Sequence, residues 1–192
     1  MALQLGPFRI AWPKKAHADD PYWDHFINTP PADLANSVVE MIRNAPDGNI
    51  FPVKADLHSP EITSGHVKEL ARYCGADLVA IARIDEQADD GQPWPFAVVV
   101  AVRAEYDPRT SPGIGGQVPV QNGLYVTFVL SAWIRELGYR AHAELDPAAE
   151  RLAAQAGLGR LDAQGRLVTP QYGTKVHVAN IIRTDLPLAA DG

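Results

Sequence analysis

The chain has 192 residues, 46% of them hydrophobic, which suits one domain with a sizeable core, or one domain with an arm. A net charge of −6 with no basic stretch speaks against nucleic-acid binding, and one cysteine, Cys74, excludes an internal disulfide or a cysteine-ligated cluster within the chain. No run approaches the roughly 18 apolar residues of a membrane span, and MALQLGPFRIAWPKK lacks the continuous apolar segment of a signal peptide, so a cytoplasmic location is expected.

Residues 1–58 read as an irregular arm. Prolines at 7, 13, 21, 30, 31, 46 and 52 break most periodic patterns, and Trp12, Tyr22, Trp23, Phe26 and Phe51 sit among them. Aromatics in such an arm pack it onto the body or onto a second copy. One helix is expected there, from Leu34, Val38, Met41 and Ile42 behind an Asp33 cap. The body, 59–192, opens with Ser59-Pro60-Glu61, an N-cap followed by a first-turn proline and acid, and its first helix stops at Gly75. Leu78–Ile84 and Phe96–Arg103 read as buried strands joined by a polar loop, and without a crossover helix they are expected to pair antiparallel. The proline- and glycine-rich segment 106–122 reads as a loop. A helix over Leu124–Leu137, a short strand over Tyr139–Ala143, a helix started by Asp146-Pro147 and ending near Gln155, and a strand over Lys175–Arg183 complete the order. Helices interleaved with antiparallel strands give an α+β domain.

The stretch Arg151–Leu188 stands out. Gly157, Gly159 and Gly165 fall within nine residues, followed by the Thr169-Pro170-Gln171-Tyr172-Gly173 loop, an alternating run and Thr184-Asp185-Leu186-Pro187-Leu188. Glycine permits positive φ and close approach of main chain to a ligand. The alternative is two ordinary turns joining a helix to a strand. The six histidines show no HxxxH or HxH spacing, so no metal site is assigned to them.

These pieces, with VKELARYCGADLVAIARID, FAVVVAVRAEYD and WIRELGYRAHA upstream, resemble in order and spacing the corrinoid-dependent reductive dehalogenases and the related epoxyqueuosine reductases. The resemblance covers about the last two thirds of the chain. It implies a nitroreductase-like, antiparallel-rich sheet with packed helices. It also implies a cobalamin cofactor walled by Gly157, Leu158, Gly159, Thr169, Pro170, Gln171, Tyr172 and Gly173, whose main-chain and side-chain groups would bond the amide rim of the corrin. The resembled proteins carry iron–sulfur clusters downstream of the TDLPL motif. With one cysteine here, electrons are expected from a separate iron–sulfur protein or domain, for a small organic substrate.

The family's proton donor is a tyrosine whose pKa a neighbouring cation lowers. Counting back from Ile134 reaches Val120-Gln121 instead. Tyr125 is the nearest tyrosine, with Tyr106 and Tyr172 as alternatives and Lys175 and Arg166 as the cations; two solvated basic side chains are the other reading. Asp162-Ala163-Gln164-Gly165 stands where the epoxyqueuosine reductases carry a lysine-asparagine pair, which argues against queuosine chemistry. Two further readings stay open. One is a non-catalytic corrinoid carrier or degenerate domain. The other is an FMN-dependent nitroreductase-like reductase, whose homodimer interface the aromatic arm would suit.

Overall fold

Pro21 and Pro60 each occupy the first position of a helix, where a missing N–H leaves no hydrogen bond unmade. The computed structural model of the chain describes residues 2–5, 8–11, 21–30 and 38–192. In the N-terminal part β1 (Ala2–Leu5) and β2 (Phe8–Ala11) form an antiparallel hairpin, followed by α1 (Pro21–Asn28) and α2 (Val38–Arg43). The described part of residues 1–58 thus holds β1, β2, α1 and α2. The helix expected around Met41 is α2, while its Asp33 cap and Leu34, like Trp12, lie outside the described residues.

The body follows as α3 (Pro60–Tyr73), β3 (Leu78–Gln87), β4 (Pro93–Arg103), α4 (Ile114–Glu136), β5 (Ala141–Glu144), α5 (Ala149–Gln155), β6 (Arg160–Leu161), β7 (Leu167–Val168) and β8 (Val176–Thr184). Its main sheet runs β3-β4-β8-β5, antiparallel throughout, which gives the α+β class expected of a nitroreductase-like fold. β4 is buried from Phe96 to Val102 because both faces of the sheet are covered. Val98 and Val100 pack with Val67, Leu130 and Ile134 of α3 and α4, while Val99 and Ala101 pack with Leu152 and Ala153 of α5. Each such valine contributes about 1.5–3 kcal/mol by leaving water.

The cap at Ser59 forms as its residues require: its hydroxyl accepts from Ile62 N at 3.5 Å, and Gly75 takes φ +110° behind the helix. The strands of the β3–β4 hairpin run further than expected, to Gln87 and from Pro93, around a bulge between Arg83 and Glu86. β5 begins two residues late, at Ala141, and α5 begins at Ala149, because Asp146 accepts from Ala148 N at 2.5 Å and holds a turn ahead of the helix.

The largest departure is α4. Segment 106–122 is not a loop throughout: the helix begins at Ile114 and carries Pro119 inside it. Its glycines are packing residues. A Cβ on Gly116 would lie 1.8 Å from Ser111 O, and one on Gly123 2.5 Å from Ala179 Cβ, so glycine lets α4 sit directly on the preceding loop and on β8.

The TDLPL motif makes the corner after β8. Thr184 Oγ1 donates to Arg140 O at 2.6 Å and accepts from Leu186 N at 3.0 Å, and Asp185 accepts from Arg140 N at 2.7 Å. The tail then closes on the outer edge of β3, where Asp191 pairs with Lys68 at 2.6 Å and exchanges hydrogen bonds with the Ile81 main chain.

Candidate functional site

A two-for-one slip in the pairing of β8 with β4 builds the floor of the site. Val99 faces Ile181 and Ala101 faces Val178, so Val100 alone opposes Ala179 and Asn180. Ala179 lies under Gly123 of α4, and Asn180 stands in the adjoining cleft beside Thr127 and Ser131. Asn180 is 9% exposed, and its amide has no hydrogen-bond partner among the described residues.

The cleft has adjoining parts. One, of about 670 Å³, lies between the α2 end with the 45–47 turn, α4 and β5, and includes Arg43, Arg135, His142 and Asn180. A second, of about 350 Å³, shares Arg43, Leu145 and Asn180 with the first and adds Val39, Gln117, Leu124 and His177. A third, of about 280 Å³, continues from Pro108, Arg109 and His177 to Glu150 and Gly165 at the tip of the β6–β7 hairpin.

Its charges are largely paired. Arg43 meets Glu40 at 2.9 Å, and Arg109 meets Asp107 at 2.9 Å and Glu150 at 3.1 Å. The Arg109 guanidinium holds the Asp107 carboxyl below its ordinary range, and Asp107 in turn raises Arg109. Glu150 also accepts from Leu167 N at 2.5 Å, tying the hairpin to α5. Arg135, 5% exposed near the end of α4, donates to Ala141 O at 2.9 Å and lies 3.4 Å from Asp47, whose other oxygen is 2.5 Å from His142 Nδ1.

His177 sits where the second and third parts meet. Burial, and then the positive charge of Arg109, push its pKa down to about 4 from 6.5, so it is a neutral imidazole at pH 7. An unfolded chain takes up this proton near pH 6.5 and the folded one only near 4. Stability is therefore expected to fall by up to about 3 kcal/mol as pH drops from 6.5 to 4, and His177→Gln should flatten that limb in urea unfolding measured across the range.

The residues singled out from the sequence lie mostly beside this cleft and do not line it. Gly157 takes φ +82° with open space around it, whereas a Cβ on Gly159 would lie 2.2 Å from Val168 O. Leu158 and Tyr172 pack against the α5 core. Thr169 is buried, its hydroxyl accepting from Tyr172 N at 3.1 Å while its main chain exchanges hydrogen bonds with Gly173, so Pro170 and Gln171 form the exposed tip of a closed turn. Tyr125 is 52% exposed on α4, and Lys175 pairs with Glu105 at 3.0 Å, lowering that carboxyl's pKa. Arg166 pairs with Asp162 at 2.8 Å. Asn180, Arg43, Arg109 and Arg135 escaped the sequence reading. Only a polar residue interrupting the apolar run VANII pointed to one of them.

No family model matches the chain, and no curated protein does. Solved structures do. The catabolic reductive dehalogenase NpRdhA, in complex with 3-bromo-4-hydroxybenzoic acid, matches 80% of this chain with a TM-score of 0.65 and 25% identity. A reductive dehalogenase described as carrying out B12-dependent dehalogenation matches 80% with a TM-score of 0.64 and 26% identity. Epoxyqueuosine reductase from Bacillus subtilis matches 68% of the chain and 47% of its own at a TM-score of 0.49 and 14% identity. This chain spans 24% of the length of the two dehalogenases. Among the described residues no helix is long and apolar enough to cross a membrane.

Proposed function

We propose that this chain is a corrinoid-binding, reductive dehalogenase-like oxidoreductase domain that reduces a carbon–halogen or related bond of a small organic substrate, with electrons from a separate iron–sulfur protein or domain. The observation that carries the reading is the match over 80% of the chain to reductive dehalogenases, one of them described as B12-dependent. The donor set suits a corrin. The cleft offers an uncommitted carboxamide at Asn180 and a neutral imidazole at His177. Uncharged groups of this kind hydrogen-bond an amide rim without burying an unpaired charge. Asn180 would form the floor, and Gly157–Gly159 and Thr169–Gly173, outside the cleft, would meet only a part of the ring that extends beyond it. A bound corrinoid supplies low-valent cobalt as the reductant. The chain's own part is to hold the ring, keep the floor uncharged and exclude water with the apolar sides of Val39, Leu124 and Leu145.

One observation favours a second reading, a non-catalytic corrinoid carrier: among the described residues no tyrosine lines the cleft, and Tyr125 points to solvent. Titration with hydroxocobalamin under reducing conditions tests both readings. A near-stoichiometric base-off cob(II)alamin spectrum and a Tm raised by about 5–10 °C at a hundredfold excess over Kd are expected. An unchanged spectrum and melting temperature would overturn both, and a yellow flavin spectrum in the protein as isolated would favour the FMN reading. Turnover of a halophenol with a chemical reductant separates enzyme from carrier, and its survival in Tyr125→Phe would exclude that tyrosine as the acid.

A further inference from the structure

We propose that His142, oriented by Asp47, is the proton donor of this domain and takes the place of the tyrosine that the cleft lacks among the described residues. This role rests on the dehalogenase-like reading above and supplies the acid which that reading leaves unassigned.

His142 lies on β5 between two chambers. One is the part of the cleft of about 670 Å³ that also holds Thr127, Ser131 and Asn180; the other, of about 550 Å³, reaches Trp94 and Arg140. The Nδ1 atom of the ring is 2.5 Å from Asp47 Oδ2, and Asp47 Oδ1 is 3.4 Å from Arg135 Nη1. Arg135 is 5% exposed and donates to Ala141 O at 2.9 Å, so a fixed guanidinium holds the carboxylate that holds the ring. Phe51 N donates to Arg135 O at 2.9 Å and ties the chain just beyond Asp47 to the same end of α4. Glu144 Oε2 is 3.7 Å from His142 Nε2, beyond hydrogen-bond reach, and its other oxygen meets Arg183. Nε2 therefore has no hydrogen-bond partner among the described residues and is left for a ligand.

A carboxylate beside one ring nitrogen fixes the tautomer, with Nδ1–H directed at the acid, and steadies the imidazolium when it forms. The charged groups facing this ring are Asp47 from the 45–48 turn, Arg135 from α4, Glu144 on its own strand and Arg183 from β8. Each guanidinium is engaged by one of the carboxylates, so the ring meets carboxylates first and the cations behind them. An imidazole in water titrates near 6.5 against about 10 for a phenol, so a histidine donates near neutral pH without the cation that a tyrosine needs. Reduction of a carbon–halogen bond consumes two electrons and one proton: the bond to halogen breaks, halide leaves, and a carbon–hydrogen bond forms. Both electrons come from the low-valent corrinoid of the reading above, and the proton comes from His142 Nε2. Water then returns a proton to the ring, whose side chain is 45% exposed.

Two measurements on the full chain test this role. Without corrinoid, nitrogen NMR should show the neutral His142 ring as the Nδ1–H tautomer, and Asp47→Ala should return it to the Nε2–H form that a free histidine prefers. With saturating hydroxocobalamin, a halophenol and a chemical reductant, His142→Gln should lower kcat by more than about tenfold, a general acid being worth about a hundredfold or more. Asp47→Ala, which removes the positioning residue and leaves the donor, should lower kcat by less. The rate of the unaltered chain should fall as pH rises through the ring's own titration, followed by NMR in the same protein, and His142→Gln should lose that limb. An Nε2–H tautomer in the unaltered chain, or a smaller loss of kcat in His142→Gln, overturns the assignment and leaves the corrinoid reading standing. Corrinoid binding without turnover makes the chain a carrier and overturns the assignment as well, whereas absence of corrinoid binding overturns the assignment and the reading together.

Discussion

Replacing Arg183 with methionine is expected to lower the unfolding free energy by about 3 kcal/mol. Arg183 lies in β8 with its side chain 12% exposed and reaches Glu86 at 2.6 Å, Asp146 at 2.6 Å, and Glu144. Asp146 carries most of the effect, because its side chain is only 8% exposed and also holds the turn before α5 through Ala148 N. Without the guanidinium it becomes a buried carboxylate with no cation. Glu86 and Glu144 are 44% and 42% exposed, so water screens what they lose. Arg183→Lys should recover only part of the loss, since one ammonium cannot present the guanidinium fork to carboxylates from three elements. The double change Arg183→Met with Asp146→Asn should recover more, because removing both members of a buried pair avoids the unpaired charge. Urea unfolding of the variants measures each step. A loss below about 1 kcal/mol in Arg183→Met would mean that the cluster does not hold the sheet to α5.

What the sequence made legible was local chemistry. Ser59-Pro60-Glu61 starts a helix and Gly75 ends it because caps depend on neighbours in sequence. The run FAVVVAVR identifies a strand buried on both faces because no alternation breaks it. The antiparallel pairing of β3 with β4 follows from a connection too short for a crossover. What escaped depends on partners far along the chain. Pro119 and the glycines around it carry the composition of a loop, yet they form two turns of α4, since Gly115 and Gly116 are there to admit Phe26 and Ser111. Arg135 looks like a surface residue near a helix end and is buried, because the Ala141 carbonyl and Asp47 converge on it. The cleft beside Asn180 was not legible for the same reason. Glycine density drew attention to 157–173, while the bulge that presents Asn180 exists only once β8 pairs with β4.

Gly116→Ala is the sharpest test of that account of α4, with an expected loss of about 3 kcal/mol or more. The added Cβ would lie 1.8 Å from Ser111 O and 2.9 Å from Ser111 C, and main chain cannot rotate aside as a long side chain would. Ser111 is fixed in turn, since its N–H donates to Asp107 O at 2.9 Å and Asp107 grips Arg109 through its carboxylate. Relief therefore requires α4 or the whole 107–111 turn to move, and that turn carries the Arg109 charge that helps keep His177 neutral. Two readouts should shift together: the urea midpoint should fall, and the His177 imidazole titration, followed by NMR, should rise from about 4 toward 6.5. Gly65→Ala is the contrasting case. Gly65 lies mid-helix in α3 with nothing within 4 Å of an added Cβ, so alanine there should stabilise by about 0.5–1 kcal/mol through helix propensity alone. If both alanine variants melted like the parent, the close seat of α4 on the 107–111 turn would be wrong, and with it the shape of the cleft beneath.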